Sequence, residues 1–248
     1  MDKIFTKKFH LYTYEVDHRG KALPRSLLNY LQDAAGGHAA ILGFSILDLL
    51  KKGLTWILSR YHIRIFRYPA LGEEIGVSTW PSGKQGLFAL RDFEITDDKG
   101  GLLAAATSSW ILWNLHLKQP ARLEENLPDG VTVDRRAVPD DFPALPPIET
   151  ADRELSFRIE MQDIDFNNHV NHAVYVQWAL ETPPENILRT ARPVDIEVAY
   201  KGEAFYGDEV VSKARTIGSG PGPVFLHGIF HKDKRTELAR LRTAWAYD

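Results

Sequence analysis

The chain states one pattern twice, and that repetition restricts its possible folds more than any other feature. Ala70-Leu71-Gly72-Glu73-Glu74-Ile75 is answered 135 residues later by Phe205-Tyr206-Gly207-Asp208-Glu209-Val210. The same offset sets Phe93–Lys99 against Gly228–Lys234 and Trp110 against Trp245, a register expected to run for about forty residues without a gap. Upstream the offset is 148, pairing Phe9 with Phe157, Val16 with Ile164 and Asp17 with Asp165. The first copy therefore carries thirteen extra residues, near Gly36 to Gly53, where Ser45–Lys52 predicts an added short helix.

Each copy runs strand, loop, helix, then several strands. The first strands are expected at Lys8–Val16 and Leu155–Ile164, and the helices at Pro24–Gly36 and Asn171–Thr182. Pro24 suits a first helical turn, and Leu27, Leu31 and Ala34 recur at helical spacing, as do Val170, Val174 and Trp178. The later strands are expected at Leu54–Arg67, Glu74–Trp80, Leu87–Thr96 and Leu102–Leu115, then Val194–Lys201, Glu209–Ile217, Val224–Lys232 and Glu237–Tyr247. They are rich in β-formers, with turn signals between them at Asp97–Gly101 and Gly218–Gly222. A helix followed by four or five antiparallel strands buries its apolar face if the sheet wraps around it. The expected class is α+β: a tandem, or double, hotdog, two long helices each wrapped by antiparallel sheet. The repeats fall at 1–118 and 151–248. Between them, 119–150 is an expected linker, because Pro120 to Pro147 holds six of the fourteen prolines. Arg122–Asn126 reads as a helical turn within it.

Composition closes off several function classes. A net charge of −3 gives no bulk attraction to nucleic acid. The absence of cysteine excludes disulfides, zinc–thiolate centres and a thiol nucleophile. MDKIFTKKFH has no apolar core of a signal peptide, and no apolar run reaches the roughly 18 residues of a membrane span, so a cytoplasmic chain is expected. There is no Gly-x-Ser-x-Gly elbow. His169-x-x-His172 lacks the partners of a metal motif, so no metal and no cofactor are expected.

Chemistry concentrates in Asp163-Ile164-Asp165-Phe166-Asn167-Asn168-His169-Val170-Asn171, just before the second helix. A loop entering a helix exposes unpaired N–H groups at the positive end of the dipole. With Asn167 or Asn168 as cap, the backbone N–H groups of His169, Val170 and Asn171 are expected to face a carbonyl oxygen. A turn and a cap alone would also favour Asp and Asn. The comparison of copies tips the reading: Asn167 is matched by Arg19, His169 by Lys21 and Glu203 by Tyr68, whereas Asp165 is matched by Asp17. One active site is expected, in the second copy.

The chain resembles the fatty acyl-acyl carrier protein (ACP) thioesterases of bacteria and plant plastids. In the first half the likeness rests on Leu27-Leu28-Asn29-Tyr30-Leu31-Gln32-Asp33-Ala34-Ala35, Leu54–Arg60 and Arg67–Glu73. In the second it rests on Asp165-Phe166-Asn167-Asn168-His169-Val170-Asn171 and Tyr200-Lys201-Gly202-Glu203. The resemblance implies a tandem hotdog that hydrolyses fatty acyl-ACP to free fatty acid and ACP, ending fatty acid synthesis. It implies Asp165, Asn167, His169 and Glu203 as the catalytic set. Plant members carry a cysteine after that glutamate; Ala204 stands here, and His172 replaces a second asparagine. Asp165 and Glu203 would orient or deprotonate water, and such base catalysis contributes about 10²–10⁴-fold. His169 would share that proton or donate to the leaving sulfur, and Asn167 would position a partner. Direct attack by Asp165 through an anhydride is a second route. The first repeat, free of the polar set, would hold the acyl chain along Leu27, Leu31, Ala34 and Ala35, each buried CH₂ contributing about 0.8 kcal/mol. Arg19, Lys21, Arg25, Lys51, Lys52, Arg192 and Lys201 offer a docking face for an acidic ACP. No membrane partner is expected, and the chain would be a monomer or homodimer. The alternatives are an acyl-CoA thioesterase, a hotdog hydroxyacyl-thioester dehydratase and a non-catalytic acyl-binding module.

Overall fold

The computed structural model describes residues 3–128, 130–219 and 221–247. In chain order the elements are β1 (Phe5–His10), α1 (Pro24–Ile41), α2 (Ile46–Leu50), β2 (Leu54–Ile65), β3 (Glu74–Gln85), β4 (Phe88–Asp97), β5 (Leu102–Asn114), β6 (Gln119–Pro120) and α3 (Leu123–Asn126). There follow β7 (Arg153–Arg158), α4 (His172–Glu181), α5 (Glu185–Thr190), β8 (Ala191–Tyr200), β9 (Glu209–Ser219), β10 (Pro223–His231) and β11 (Glu237–Tyr247). The chain divides into two units, 1–141 and 142–248. In the first, antiparallel strands run β1-β3-β4-β5-β2, with β6 beside β5; in the second the corresponding strands run β7-β9-β10-β11-β8. Helix α1 lies against β1 and β3, and α4 against β8 to β11. Each unit is a hotdog.

The repeat survives at the level of single strand pairs. Phe9 faces Ile75 in one unit and Phe157 faces Val210 in the other, which reproduces both offsets. Leu58 faces Trp110 and Pro193 faces Trp245, beside the same bulge. Side chains follow. Phe9 stacks on Tyr30 at 4.5 Å and Phe157 on Trp178 at 5.8 Å. The indole of Trp110 donates to Ser108 Oγ at 2.8 Å, and that of Trp245 to Thr243 Oγ1 at 2.9 Å. In one respect the expected register is corrected. The bulge at Ile95/Thr96 recurs at Ile229/Phe230, so β4 and β10 are related by 134 residues rather than 135. The β9–β10 turn is one residue shorter and the β10–β11 turn one longer, and the compensation hides the shift from a sequence comparison. The β9–β10 turn contains Gly220, which lies outside the described residues.

Three other expectations change. The first helix does not stop at Gly36 but runs to Ile41, since mid-helix glycine costs only about 1 kcal/mol. The ring of Phe5 lies close over Gly37, 3.3 Å from where a Cβ would stand, so a larger residue there would push the ring aside by a few tenths of an ångström. The longer helix, 18 residues against 10 in α4, accounts for most of the thirteen extra residues; α2, capped by Ser45, is not the addition expected, because the second unit places α5 at the same point in its chain. Strand β1 ends at His10 rather than Val16, because the Glu15 carboxylate accepts the Tyr12 N–H and closes a turn. Asp163 does the same for the Glu160 N–H after β7.

The proline-rich segment is held by side-chain contacts. Up to Asp141 it belongs to the first unit. The Trp80 indole donates to the Arg135 carbonyl at 2.8 Å and Arg136 pairs with the fully buried Asp92 at 3.1 Å. Val138 is buried and Asp140 meets His62 at 2.7 Å. From Phe142 onward it joins the second unit, where Arg240 donates to the Leu145 carbonyl.

Candidate active site

The second-unit loop is built from backbone hydrogen bonds around one aspartate. Asp165 N–H donates to the His169 carbonyl at 2.8 Å, Asn168 N–H to the Asp165 carbonyl at 3.0 Å, and Asn167 N–H to Asp165 Oδ1 at 2.7 Å. The first unit draws the same loop: Asp17 N–H to Lys21, Gly20 N–H to Asp17, and Arg19 N–H to Asp17 Oδ1 at 2.8 Å. Gly20 has φ of 69° and Asn168 a φ of 62°; asparagine is among the few other residues that tolerate this left-handed position. Both loops are clamped from a distant segment, by Val170 N–H on the Ala204 carbonyl and by Ala22 N–H on the Pro69 carbonyl. Asp165 and Asn168 therefore have structural work that is common to both copies.

The side chains that differ gather at the clamp. His169 Nε2 lies 3.6 Å from Glu203 Oε2, too far for a direct hydrogen bond but within ion-pair range. The Phe205 ring stands edge-on to the imidazole at 5.2 Å. His169 and Glu203 are 37% and 55% exposed, so both are open to water. In the first unit these positions are Lys21 and the buried Tyr68, which cannot form an acid–base pair of this kind.

Two expectations are corrected. The helix cap is neither Asn167 nor Asn168 but Asn171, whose Oδ1 accepts the Ala173 N–H at 2.9 Å. Nor are the backbone N–H groups of Val170 and Asn171 open to a carbonyl oxygen: the first donates to Ala204 and the second to the Asp163 carbonyl at 2.8 Å. Among the described residues, no acceptor meets the His169 N–H.

One residue of the site escaped the sequence reading. Tyr175, on α4, is buried against Trp178 and Tyr200. Burial pushes its hydroxyl well above the usual tyrosine range, and the charges of Glu203, Asp165 and Asp208 push the same way against the Ala204 amide. It stays protonated beside the clamp. The equivalent residue of α1 is Leu27, so a comparison of the helices would have flagged it. His172, the first residue of α4, is held down to about 4 by burial and is neutral near pH 7. Its ring faces Tyr200 while that of His169 faces Phe205, so the two imidazoles have different surroundings.

The proposed lining residues Leu27, Leu31 and Ala34 are fully buried on α1, and Ala35 nearly so. The core nearby is not wholly apolar. Arg91 of β4 donates to Thr79 Oγ1 at 3.1 Å and lies 3.2 Å from His38 Nδ1; burial lowers it to about 10, leaving it cationic at neutral pH. Of the expected docking charges, Arg192 is buried and Lys201 is committed to Glu237 at 2.8 Å, so neither presents a free cation. No helix among the described residues is long and apolar enough to cross a membrane.

The chain matches two family models in tandem: acyl-ACP thioesterase N-terminal domain over residues 2–131, and acyl-ACP thioesterase C-terminal domain over residues 148–247. It is 30% identical over 268 residues to a chloroplastic acyl-[acyl-carrier-protein] hydrolase of Cuphea viscosissima, an alignment covering 98% of this chain. The chain spans 62% of that relative's length. Among solved structures it is similar to an acyl-ACP thioesterase from Bacteroides thetaiotaomicron, with 27% identity, a TM-score of 0.87 and 98% of each chain covered. It is equally similar to the 12:0-ACP thioesterase from Umbellularia californica, with 27% identity, a TM-score of 0.88, and 99% of this chain and 95% of that one covered.

Proposed function

The chain belongs to the acyl-ACP thioesterase family, and from that premise we propose that it hydrolyses fatty acyl thioesters carried on acyl carrier protein, releasing fatty acid and free carrier. The observation that carries this reading is the His169–Glu203 pair, set on a loop whose backbone twin in the first unit holds Lys21 and Tyr68.

In the proposed reaction, His169 and Glu203 share the proton of an attacking water. The water oxygen bonds to the carbonyl carbon, the C–S bond breaks, and the proton returns to the thiolate. Asp165 Oδ1 holds the loop, which leaves its second oxygen to orient the water or Asn167. The His169 N–H is the amide donor left for the developing oxyanion, where one such donor contributes about 10²–10³-fold. The acyl chain would lie in the first repeat, against the Leu27, Leu31, Ala34 and Ala35 face of α1.

Matched acyl-ACP and acyl-CoA substrates test the proposal, with released thiol and free fatty acid both measured. Faster turnover of acyl-ACP, with one thiol per fatty acid, is expected. Preference for acyl-CoA would move the protein to the coenzyme A thioesters, and an enoyl product without thiol would make it a dehydratase. Binding of acyl-ACP without turnover would make it a carrier module.

A further inference from the structure

Three loops of the second unit are tied together around His169. The loop before α4 is joined to the 202–208 loop by Val170 on Ala204, and that loop to the end of β7 by Ile159 N–H on Asp208 and Gly207 N–H on Ile159. The turn at Met161–Asp163 is joined in by Asn171 N–H on Asp163. These loops expose four large side chains: Met161 (64%), Phe166 (74%), Phe205 (45%) and Tyr206 (60%). Their first-unit equivalents are Thr13, His18, Ala70 and Leu71. The charge differs as well. Residues 159–171 and 202–208 carry Glu160, Asp163, Asp165, Glu203 and Asp208 and no lysine or arginine, whereas 11–23 and 67–73 balance Glu15, Asp17 and Glu73 with Arg19, Lys21 and Arg67.

Exposed aromatic residues beside a reactive pair supply broad contact at little entropic cost. Five carboxylates around them repel phosphate and acidic protein surface, so a matching ligand is amphipathic and uncharged. We propose that Phe166, Phe205 and Tyr206, with Met161, form the contact surface for the neutral amide-and-methylene arm, a pantetheine, on which the acyl thioester is presented. This rests on the reading of His169 and Glu203 as the reactive pair. The carrier's acidic face and any phosphate then bind away from these loops, and the arm spans the distance.

The test uses one fatty acyl group on three leaving thiols: pantetheine, the shorter N-acetylcysteamine, and whole ACP. For the double variant Phe166→Ala/Tyr206→Ala, kcat/KM on acyl-pantetheine relative to acyl-N-acetylcysteamine should fall about tenfold, the scale of losing a well-placed aromatic contact. Acyl-ACP should fall in parallel with acyl-pantetheine, and Tm should hold because both side chains are exposed. An unchanged ratio, or a loss confined to acyl-ACP, would overturn the assignment; the latter would put the carrier's surface on the aromatics. His169→Ala separates the two layers. If it leaves acyl-ACP turnover intact the reactive pair is misassigned, whereas its inactivity with an unchanged ratio in the double variant removes the arm site alone.

Discussion

The loops at Asp17–Ala22 and Asp165–Val170 share their backbone hydrogen bonds, a left-handed fourth residue and a distant clamp, yet only one carries an imidazole facing a carboxylate. The scaffold needs little from sequence: an aspartate to collect N–H groups, glycine or asparagine at the left-handed position, and a carbonyl for the clamp. The remaining positions are free for chemistry in one copy and for Arg19, Lys21 and Tyr68 in the other. A control therefore sits inside the same chain.

The sharpest break between the copies should come from the reactive pair. His169→Ala and Glu203→Gln should each lower kcat by about 10²–10⁴-fold, while Lys21→Ala in the twin loop leaves kcat within about twofold, the ordinary range for a surface change; steady-state assays on acyl-ACP decide. A His169→Ala enzyme with normal turnover would erase the functional difference. The next effect separates two roles of one residue type. Asp17→Ala should cost about 1–2 kcal/mol of stability through the bonds lost from the Arg19 and Lys21 N–H groups, with kcat intact. Asp165→Ala, which loses only the bond from the Asn167 N–H, should show a smaller loss in denaturant melts, about 1 kcal/mol, together with a fall in kcat. If the two variants behave alike, Asp165 is only a loop former.

A smaller effect concerns the left-handed position. Asn168→Gly, which copies Gly20, should be neutral in Tm, and Asn168→Ala should cost about 1 kcal/mol. The effect that is smallest at neutral pH exploits the corrected register, which aligns the fully buried His227 with Phe93. Burial lowers His227 from its ordinary 6.5 to about 3. The unfolded chain takes up that proton first, so stability is full above pH 6.5 and declines as pH falls toward 3. His227→Phe should flatten the acid side of a Tm-against-pH curve; an unchanged slope would show that His227 does not contribute.

Much of the fold was legible because it is periodic. The two offsets in the sequence reappear as facing residues in β1–β3 and β7–β9, and even the indole hydrogen bonds recur. The legible part of the site was the set of residue types that differ between copies. What escaped was directional: which residue caps α4, whose N–H groups are spent, and that Tyr175 of α4 is buried with its hydroxyl protonated. The reading of Val170 and Asn171 failed because a helix entrance exposes donors only until another segment supplies an acceptor.

Sequence by itself determined the duplicated hotdog, the aspartate-centred loop and the confinement of histidine and glutamate to one copy. These depend on local pattern and residue type, which the chain states directly. Tertiary structure alone decided that Ala204 clamps the loop, that Glu203 comes within 3.6 Å of His169, and that the amides of Val170 and Asn171 are already used. The clamp, the ion pair and the Val170 amide depend on where a strand end more than thirty positions away arrives, and the Asn171 amide on how the turn at Asp163 folds back. Hydrogen-bond partners are chosen by proximity in the folded chain, which no local propensity encodes.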